Sequence, residues 1–125
     1  MIERYQYLEI EKIWNDQNKF DTWKLVEQKY LETLEENNIS PGGIAKVIEK
    51  TEVLKDEVYE REKITNHDLA SFVDILQSKV GDNSNWIHYG LTSSDVVDTA
   101  NSLLIKQSLS ITCLLYTSDA ADDNT

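Results

Sequence analysis

The sequence predicts an all-α fold, and three observations lead to that prediction. Apolar residues recur at spacings of three and four along most of the chain, which is the period of an amphipathic helix. No stretch of comparable length alternates between apolar and polar residues as a strand does. Only one proline and four glycines interrupt the chain, so long helices are expected.

The first apolar pattern runs from about Leu8 to Asn37. Residues 15–18 are polar enough to divide it into a short helix, a cap and a long helix. Asparagines end the long helix, and Ser40-Pro41 is predicted to start the next one as cap and first residue. Four aromatic residues at core spacing are predicted to pack against neighbouring helices: Trp14, Phe20, Trp23 and Tyr30.

Shorter amphipathic patterns follow along the rest of the chain. Two brief helices are predicted around Ile44 to Ile48 and around Leu54 to Val58, and a longer one from Asp68 to a stop at Gly81. After a polar loop at 82–85, the last predicted helix carries an apolar stripe that begins at Val96.

Composition excludes several classes of protein. The 23 acidic and 12 basic residues give a net charge of −11, which argues against a nucleic acid or an anionic membrane as partner. No apolar run approaches the roughly 20 residues of a membrane span, and the charged N-terminus lacks the core of a signal peptide. With one cysteine, no intrachain disulfide is possible. We expect a soluble, cytoplasmic helical protein.

The tail differs in character from the residues before it. From Cys113 the string CLLYTSDAADD resembles, over eleven consecutive residues, the in-frame translation of a transposase-type sequencing-library adapter. We therefore expect the native sequence to end near Ile111 or Thr112, residues 113–125 to be non-native, and the chain to be a fragment of a longer gene product.

Three short segments break the helical pattern and carry polar chemistry. Arg4-Tyr5, in a segment too short for a full helix before Leu8, can hold a phosphate or carboxylate, but taken alone it is better interpreted as a frayed terminal arginine. The second segment is residues 65–68, where Asn66 or Asp68 could cap the following helix. His67 adds nothing to such a cap, and a His-Asp pair can fix a tautomer and raise the basicity of the imidazole.

The third segment is WIHYGLTSSDVVDTA, residues 86–100. Thr92 and Asp95 have the spacing of a capping box, so one hydroxyl is enough for the helix start. The hydroxyls of Ser93 and Ser94 are then surplus to the cap. With His88 just before them, they lie at a helix N-terminus, where backbone N–H groups and the dipole favour an anion. These segments suit binding an anionic small molecule and moving a proton. The sequence contains no metal-ligand spacing and no Gly-rich phosphate loop, so neither a metal nor a cofactor is expected.

These residues resemble a known family. MIERY, the triplet NHD at 66–68 and above all HYGLTSSDVVDTA are similar to the N-terminal part of the adenylosuccinate lyases, of the fumarase/aspartase superfamily. The similarity covers residues 1 to about 111, about the first quarter of a family member. Fumarases and argininosuccinate lyases carry different residues in the hydroxyl-bearing segment. Asn66 replaces the Arg or Lys also common there, so we expect slightly altered anion contacts.

The resemblance implies a β-elimination that releases fumarate from adenylosuccinate, giving AMP, or from the succinylated aminoimidazole carboxamide ribotide. By position, the substrate contacts would be Arg4, Tyr5, Asn66, His67, Asp68, Thr92 and Ser93. His67 and His88 would orient the substrate or assist proton transfer. The family's principal acid, a histidine, and its base, a loop serine, would lie beyond residue 111.

The resemblance also implies a domain division and an assembly. Residues 1–92 would form an N-terminal helical domain, and 93–112 the start of a truncated central bundle in a homotetramer with shared active sites. The apolar stripe of that last helix would have no partners in the fragment. We therefore predict that the chain alone is inactive and unstable or prone to aggregate.

Two alternatives come from other classes. One is a different lyase or cycloisomerase of the same superfamily with the same helical start. The other is a non-enzymatic helical module that binds a partner helix through its Trp and Phe stripe, and it predicts that His67→Ala affects only stability.

Overall fold

The computed structural model describes the backbone of residues 2–123 and the side chains of residues 8–117. Within the described backbone the chain forms six α-helices, a short 3₁₀ helix at Ser84–Trp86 and no strand, which confirms the all-α prediction. The helices are α1 (Ile2–Trp14), α2 (Asp16–Glu36), α3 (Ile44–Lys50), α4 (Lys55–Thr65), α5 (Asp68–Val80) and α6 (Ser93–Asp123).

The long helix α2 lies at the centre of the fold and contacts α1, α3, α4 and α6. The predicted break before it is confirmed, because the side chain of Asn15 accepts a hydrogen bond from the backbone N–H of Asn18 and caps α2. A helix–turn–helix pair, α4 and α5, packs beside it.

Three aromatic rings form the centre of the core. Phe20 and Trp23 of α2 meet Phe72 of α5, with the centroid of Phe72 6.2 Å from that of Phe20 and 5.7 Å from that of Trp23. All three are almost fully buried. Because buried aromatic side chains remove large apolar areas from water, this cluster fixes α5 against α2.

Three local expectations are wrong. The segment before Leu8 is not separate but belongs to α1, which begins at Ile2. Ser40-Pro41 does not start a helix: α3 begins later, after Gly43 in a left-handed conformation (φ 88°), and the Glu35 carboxylate accepts the N–H of Ala45. Trp14 is not a core residue: it is 43% exposed, and its indole donates a hydrogen bond to Ser108 of α6.

The first half of α6 has partners within the chain, contrary to the expectation of an unpartnered stripe. Val96, Ala100 and Leu104 are buried, and α6 contacts both α1 and α2. Further along, Ile105 and Leu109 are 49% and 58% exposed. The apolar stripe is therefore covered at its N-terminal end and exposed beyond it. Because the expectation that the chain alone is unstable assumed an uncovered stripe, we now expect the chain to fold, with the exposed part of α6 prone to association. The predicted boundary between residues 92 and 93 falls at the start of this helix and stays a prediction.

Among the described residues, no helix combines the length and apolar character needed to cross a membrane.

Candidate functional site

His67 is the N-cap of α5. Its backbone is extended (φ −146°), and its Nδ1 accepts a hydrogen bond from the backbone N–H of Ala70 at 3.1 Å. A histidine thus supplies the acceptor that Ser, Thr, Asp or Asn usually provides at this position. The expectation that His67 adds nothing to capping is wrong.

The backbone of His67 is held from both sides by hydroxyl groups. The Thr65 hydroxyl accepts its N–H at 3.1 Å, and the Ser71 hydroxyl donates to its carbonyl at 2.7 Å. Asp68 contributes less than the sequence suggested. Its Oδ1 lies 4.0 Å from Nδ1 of His67 and accepts the N–H of Leu69 at 2.7 Å. The ring orientation of His67 therefore follows from the cap and not from a His-Asp pair.

The other ring nitrogen of His67 reaches the start of α6. Nε2 lies 3.3 Å from Oγ of Ser93, the first residue of that helix. Because Nδ1 accepts the N–H of Ala70, the proton of a neutral His67 ring is on Nε2, which then donates to Ser93. Two segments 26 positions apart in sequence meet at this contact.

Thr92 and Asp95 form one half of the predicted capping box, the hydrogen bond from the Thr92 backbone to the Asp95 side chain. The Asp95 carboxylate accepts the backbone N–H of Thr92 at 2.8 Å, and the Thr92 hydroxyl also points to it at 3.4 Å. One carboxylate thus closes the turn before α6. The hydroxyls of Ser93 and Ser94 are not needed for this cap.

His88 occupies an uncommon backbone conformation before this helix. Its φ is +64°, in the left-handed region that non-glycine residues rarely adopt. Two hydrogen bonds to Glu27 of α2 hold it there. Oε2 of Glu27 accepts the backbone N–H at 3.0 Å, and Oε1 lies 2.5 Å from Nδ1 of the ring.

Glu27 is a buried carboxylate in the middle of α2. It is 1% exposed, and its partner His88 is the one described side chain that hydrogen-bonds to it. Burial raises the pKa of Glu27 above its ordinary value of 4.5, and the hydrogen bonds and charge of His88 act in the opposite direction. The carboxylate therefore depends on His88 for its stabilisation.

One turn along α2, a second side chain holds the same loop. The Tyr30 hydroxyl donates to the carbonyl of Tyr89 at 2.8 Å, and Tyr30 follows Glu27 by three positions, so both face the loop. Gly90 has φ +76°, and a Cβ there would lie 3.6 Å from that hydroxyl. The loop that carries His88 is thus fastened to α2 at consecutive residues.

The other predicted site residues are Arg4, Tyr5 and Asn66. The side chains of Arg4 and Tyr5 lie outside the described residues. Asn66 is exposed and left-handed (φ 55°), and it ends α4 directly before His67. His67 and Ser93 meet at the start of α6, and Thr92 lies directly before that helix. His88 lies in the loop that precedes them and is held on α2 by Glu27. Within the described part of the chain, no group of three or more acidic, histidine or cysteine side chains could hold a metal ion.

Sequence reasoning missed Glu27 and Tyr30 as parts of this site. Tyr30 was assigned to the core by its spacing. Glu27 carried a detectable signal, because it lies four residues after Trp23 and four before Leu31, both buried. A charged residue at a core position of a helix is rarely buried without a partner, which was the available indication of a site.

Comparison with known proteins assigns the family. No protein-family model matches the chain. It is 41% identical over 108 residues to adenylosuccinate lyase from Bacillus subtilis (strain 168), a match that covers 86% of this chain and 25% of the relative. It is 40% identical over 115 residues to adenylosuccinate lyase from Aquifex aeolicus (strain VF5), covering 89% of this chain and 26% of that protein. The chain thus spans about a quarter of the length of the curated relatives it matches. Such identity along nearly the whole chain confirms the resemblance: the chain belongs to the adenylosuccinate lyase family, as a fragment of a member.

Proposed function

We propose that this chain forms one wall of the active site of an adenylosuccinate lyase. The complete enzyme eliminates fumarate from adenylosuccinate to give AMP, and from the succinylated aminoimidazole carboxamide ribotide. The observation that carries the proposal is the hydrogen bond between Nε2 of His67 and Oγ of Ser93. It joins the two motifs that carry the resemblance at one helix N-terminus.

The chemistry of the reaction fits what this wall offers. A base removes a proton from the carbon next to a carboxylate, the carbon–nitrogen bond breaks, and an acid protonates the departing nitrogen. The substrate carries a phosphate and carboxylates, and the N-terminus of α6 presents N–H groups, hydroxyls and a positive dipole end to such anions. Thr92 and Ser93 would stabilise the charge that develops on the carboxylate.

The histidines would serve different parts of this task. His67, with Nε2–H directed at Ser93, supplies a donor for the anionic substrate, and His88 lies five positions before Ser93. Arg4, Tyr5, Asn66 and Asp68 are proposed as further substrate contacts. The principal general acid and base belong to the rest of the enzyme, which we propose acts in the cytoplasm as a homotetramer.

A chimeric enzyme tests this function. The 108-residue segment of the Bacillus subtilis enzyme that aligns with this chain would be replaced by the corresponding residues of the chain. The conversion of adenylosuccinate would then be followed by absorbance. We expect an active chimera, in which His67→Asn or His88→Asn lowers kcat/KM by about 10²-fold or more.

The matched control is Lys46→Ala, at an exposed position of α3, which should leave activity unchanged. A chimera that folds and assembles as the parent does but lacks activity contradicts the proposal. So does full activity of both histidine variants, a result that would instead favour a helical interaction module.

A further inference from the structure

We propose that Glu27 is a positioning residue for His88, which fixes its ring as the Nδ1–H tautomer and leaves Nε2 as a hydrogen-bond acceptor. This inference rests on the proposed function for its catalytic meaning. Its structural basis is a contact between α2 and the loop before α6 that no sequence motif includes.

Both oxygens of Glu27 are committed to His88. Oε2 accepts the backbone N–H at 3.0 Å, and Oε1 lies 2.5 Å from Nδ1. A carboxylate has only acceptors to offer, so the nitrogen that faces it carries the proton. In the neutral ring the other nitrogen, Nε2, is then without a proton and accepts hydrogen bonds.

The geometry of the loop prevents the ring from turning away. The side chain of His88 is 21% exposed and that of Glu27 is fully buried. The Tyr30 hydroxyl donates to the carbonyl of the next residue, Tyr89, at 2.8 Å, which restrains the loop beside His88. Because α2 is anchored in the aromatic core, the carboxylate is a rigid reference for the imidazole.

His67 is held in the opposite way. Its Nδ1 accepts the N–H of Ala70, and its Nε2 faces Ser93. The neutral forms of the two histidines therefore present complementary Nε2 atoms, a donor on His67 and an acceptor on His88. Such atoms suit the orientation of a substrate that offers both an acceptor and a donor, or assistance to the principal acid and base in the rest of the enzyme.

Replacing Glu27 by glutamine makes a sharp prediction. The introduced amide has one carbonyl oxygen for two partners, so its NH₂ group must face either the backbone N–H or the ring nitrogen of His88. A backbone N–H cannot become an acceptor, whereas an imidazole nitrogen can by moving its proton. Glu27→Gln should therefore invert His88 to the Nε2–H tautomer without displacing the loop.

The test is NMR of the ¹⁵N-labelled 125-residue chain. Two-bond ¹H–¹⁵N correlations of the imidazoles would be recorded at alkaline pH, where their signals no longer move with pH. The chain has two histidines, and His67→Asn assigns them. We expect His88 mostly as Nδ1–H and His67 mostly as Nε2–H in the unsubstituted chain, and both as Nε2–H in Glu27→Gln.

Two controls isolate the effect. Glu32→Gln alters a carboxylate of the same helix that hydrogen-bonds to Gln28 and Lys29, so neither tautomer should change. Tyr30→Phe removes the loop contact without touching the ring, and His88 should remain Nδ1–H. A structural role alone would not predict a tautomer inversion confined to the Glu27 variant.

The proposal is overturned if His88 in the unsubstituted chain is Nε2–H. It is also overturned if the imidazole ¹⁵N signals of His88 are the same in buffer and in urea, which would be the result for a chain that does not fold. It is also overturned if a folded Glu27→Gln variant keeps Nδ1–H. Activity does not enter these readouts. An inactive chimera with the expected tautomers would thus reject the proposed function and leave the positioning role of Glu27 standing.

Discussion

Replacing His67 by alanine or by asparagine separates the two roles that the structure gives to this side chain. Alanine removes both the acceptor for the Ala70 N–H and the contact with Ser93. Asparagine keeps a side-chain acceptor near the position of Nδ1, and it is among the best N-cap residues, but it has no equivalent of Nε2. The stability of the chain should therefore distinguish alanine from asparagine, whereas the activity of the chimera should not.

The expected magnitude follows from the geometry. The cap is one hydrogen bond of 3.1 Å, and the side chain of His67 is 50% exposed, so water replaces part of what is lost. Loss of an N-cap costs about 0.5–2 kcal/mol, and partial exposure argues for about 1 kcal/mol here. For a chain of this size that lowers Tm by roughly 2–6 °C. His67→Asn should stay within about 0.5 kcal/mol of the unsubstituted chain.

Urea denaturation followed by far-UV circular dichroism measures these differences. Ser93→Ala is the matched control, because it removes the partner of Nε2 and leaves the cap intact. Equal losses in His67→Ala and His67→Asn would refute the capping argument. A larger loss in Ser93→Ala than in His67→Ala would assign the stability to the contact between α5 and α6 instead.

Three further predictions concern the core and the buried carboxylate. Because burial raises the pKa of Glu27 in the folded state, folding favours its protonated form. The stability this provides is present below the unfolded pKa near 4.5 and is lost as pH rises through the folded pKa. Urea titrations at a series of pH values above 4.5 should show that the free energy of unfolding falls with pH relative to that of Glu27→Gln. If the free energies of the two chains change in parallel with pH, the raised pKa of Glu27 is contradicted. Phe72→Ala, at the centre of the aromatic cluster, should destabilise by about 3–5 kcal/mol, and a loss below about 1 kcal/mol by the same assay would count against this core. Leu104→Ala should cost about 2–5 kcal/mol, because Leu104 is 2% exposed, whereas Leu114→Ala, at a position 70% exposed, should change stability by less than about 0.5 kcal/mol. Equal losses for the two would show that burial along α6 does not follow this pattern.

Helical periodicity and local breakers were enough to predict most of the fold. The polar residues 15–18 and Gly81 mark a helix start and a helix end where the structure has them, because capping depends on neighbours in sequence. The start of α3 was missed for the opposite reason. The N–H of Ala45 is satisfied by Glu35, ten positions earlier in another helix, and local rules do not include such a partner.

The candidate site was likewise predictable only where its contacts are local in sequence. The spacing of Thr92 and Asp95 led to the correct carboxylate, since both partners lie in one turn. Glu27 and His88 are 61 positions apart, so their contact depends on the packing of α2 against the chain before α6. The hydroxyl-rich motif marked the candidate site, but the contact that holds His88 on α2 was visible only in three dimensions.

Two unfavourable local features of the described chain meet at that contact. A buried carboxylate in the middle of α2 is less stabilising than a well-packed apolar side chain of similar volume would be. A left-handed histidine costs on the order of 1–3 kcal/mol relative to a residue in a common conformation. Each feature satisfies the other, since Glu27 hydrogen-bonds to the backbone and ring of His88. Neither feature is needed to form a helical core, and an apolar residue at 27 with glycine at 88 would avoid both. Their combination supports the proposal that Glu27 orients the imidazole of His88 in the loop before α6, because natural folds commonly break such local rules at functional sites.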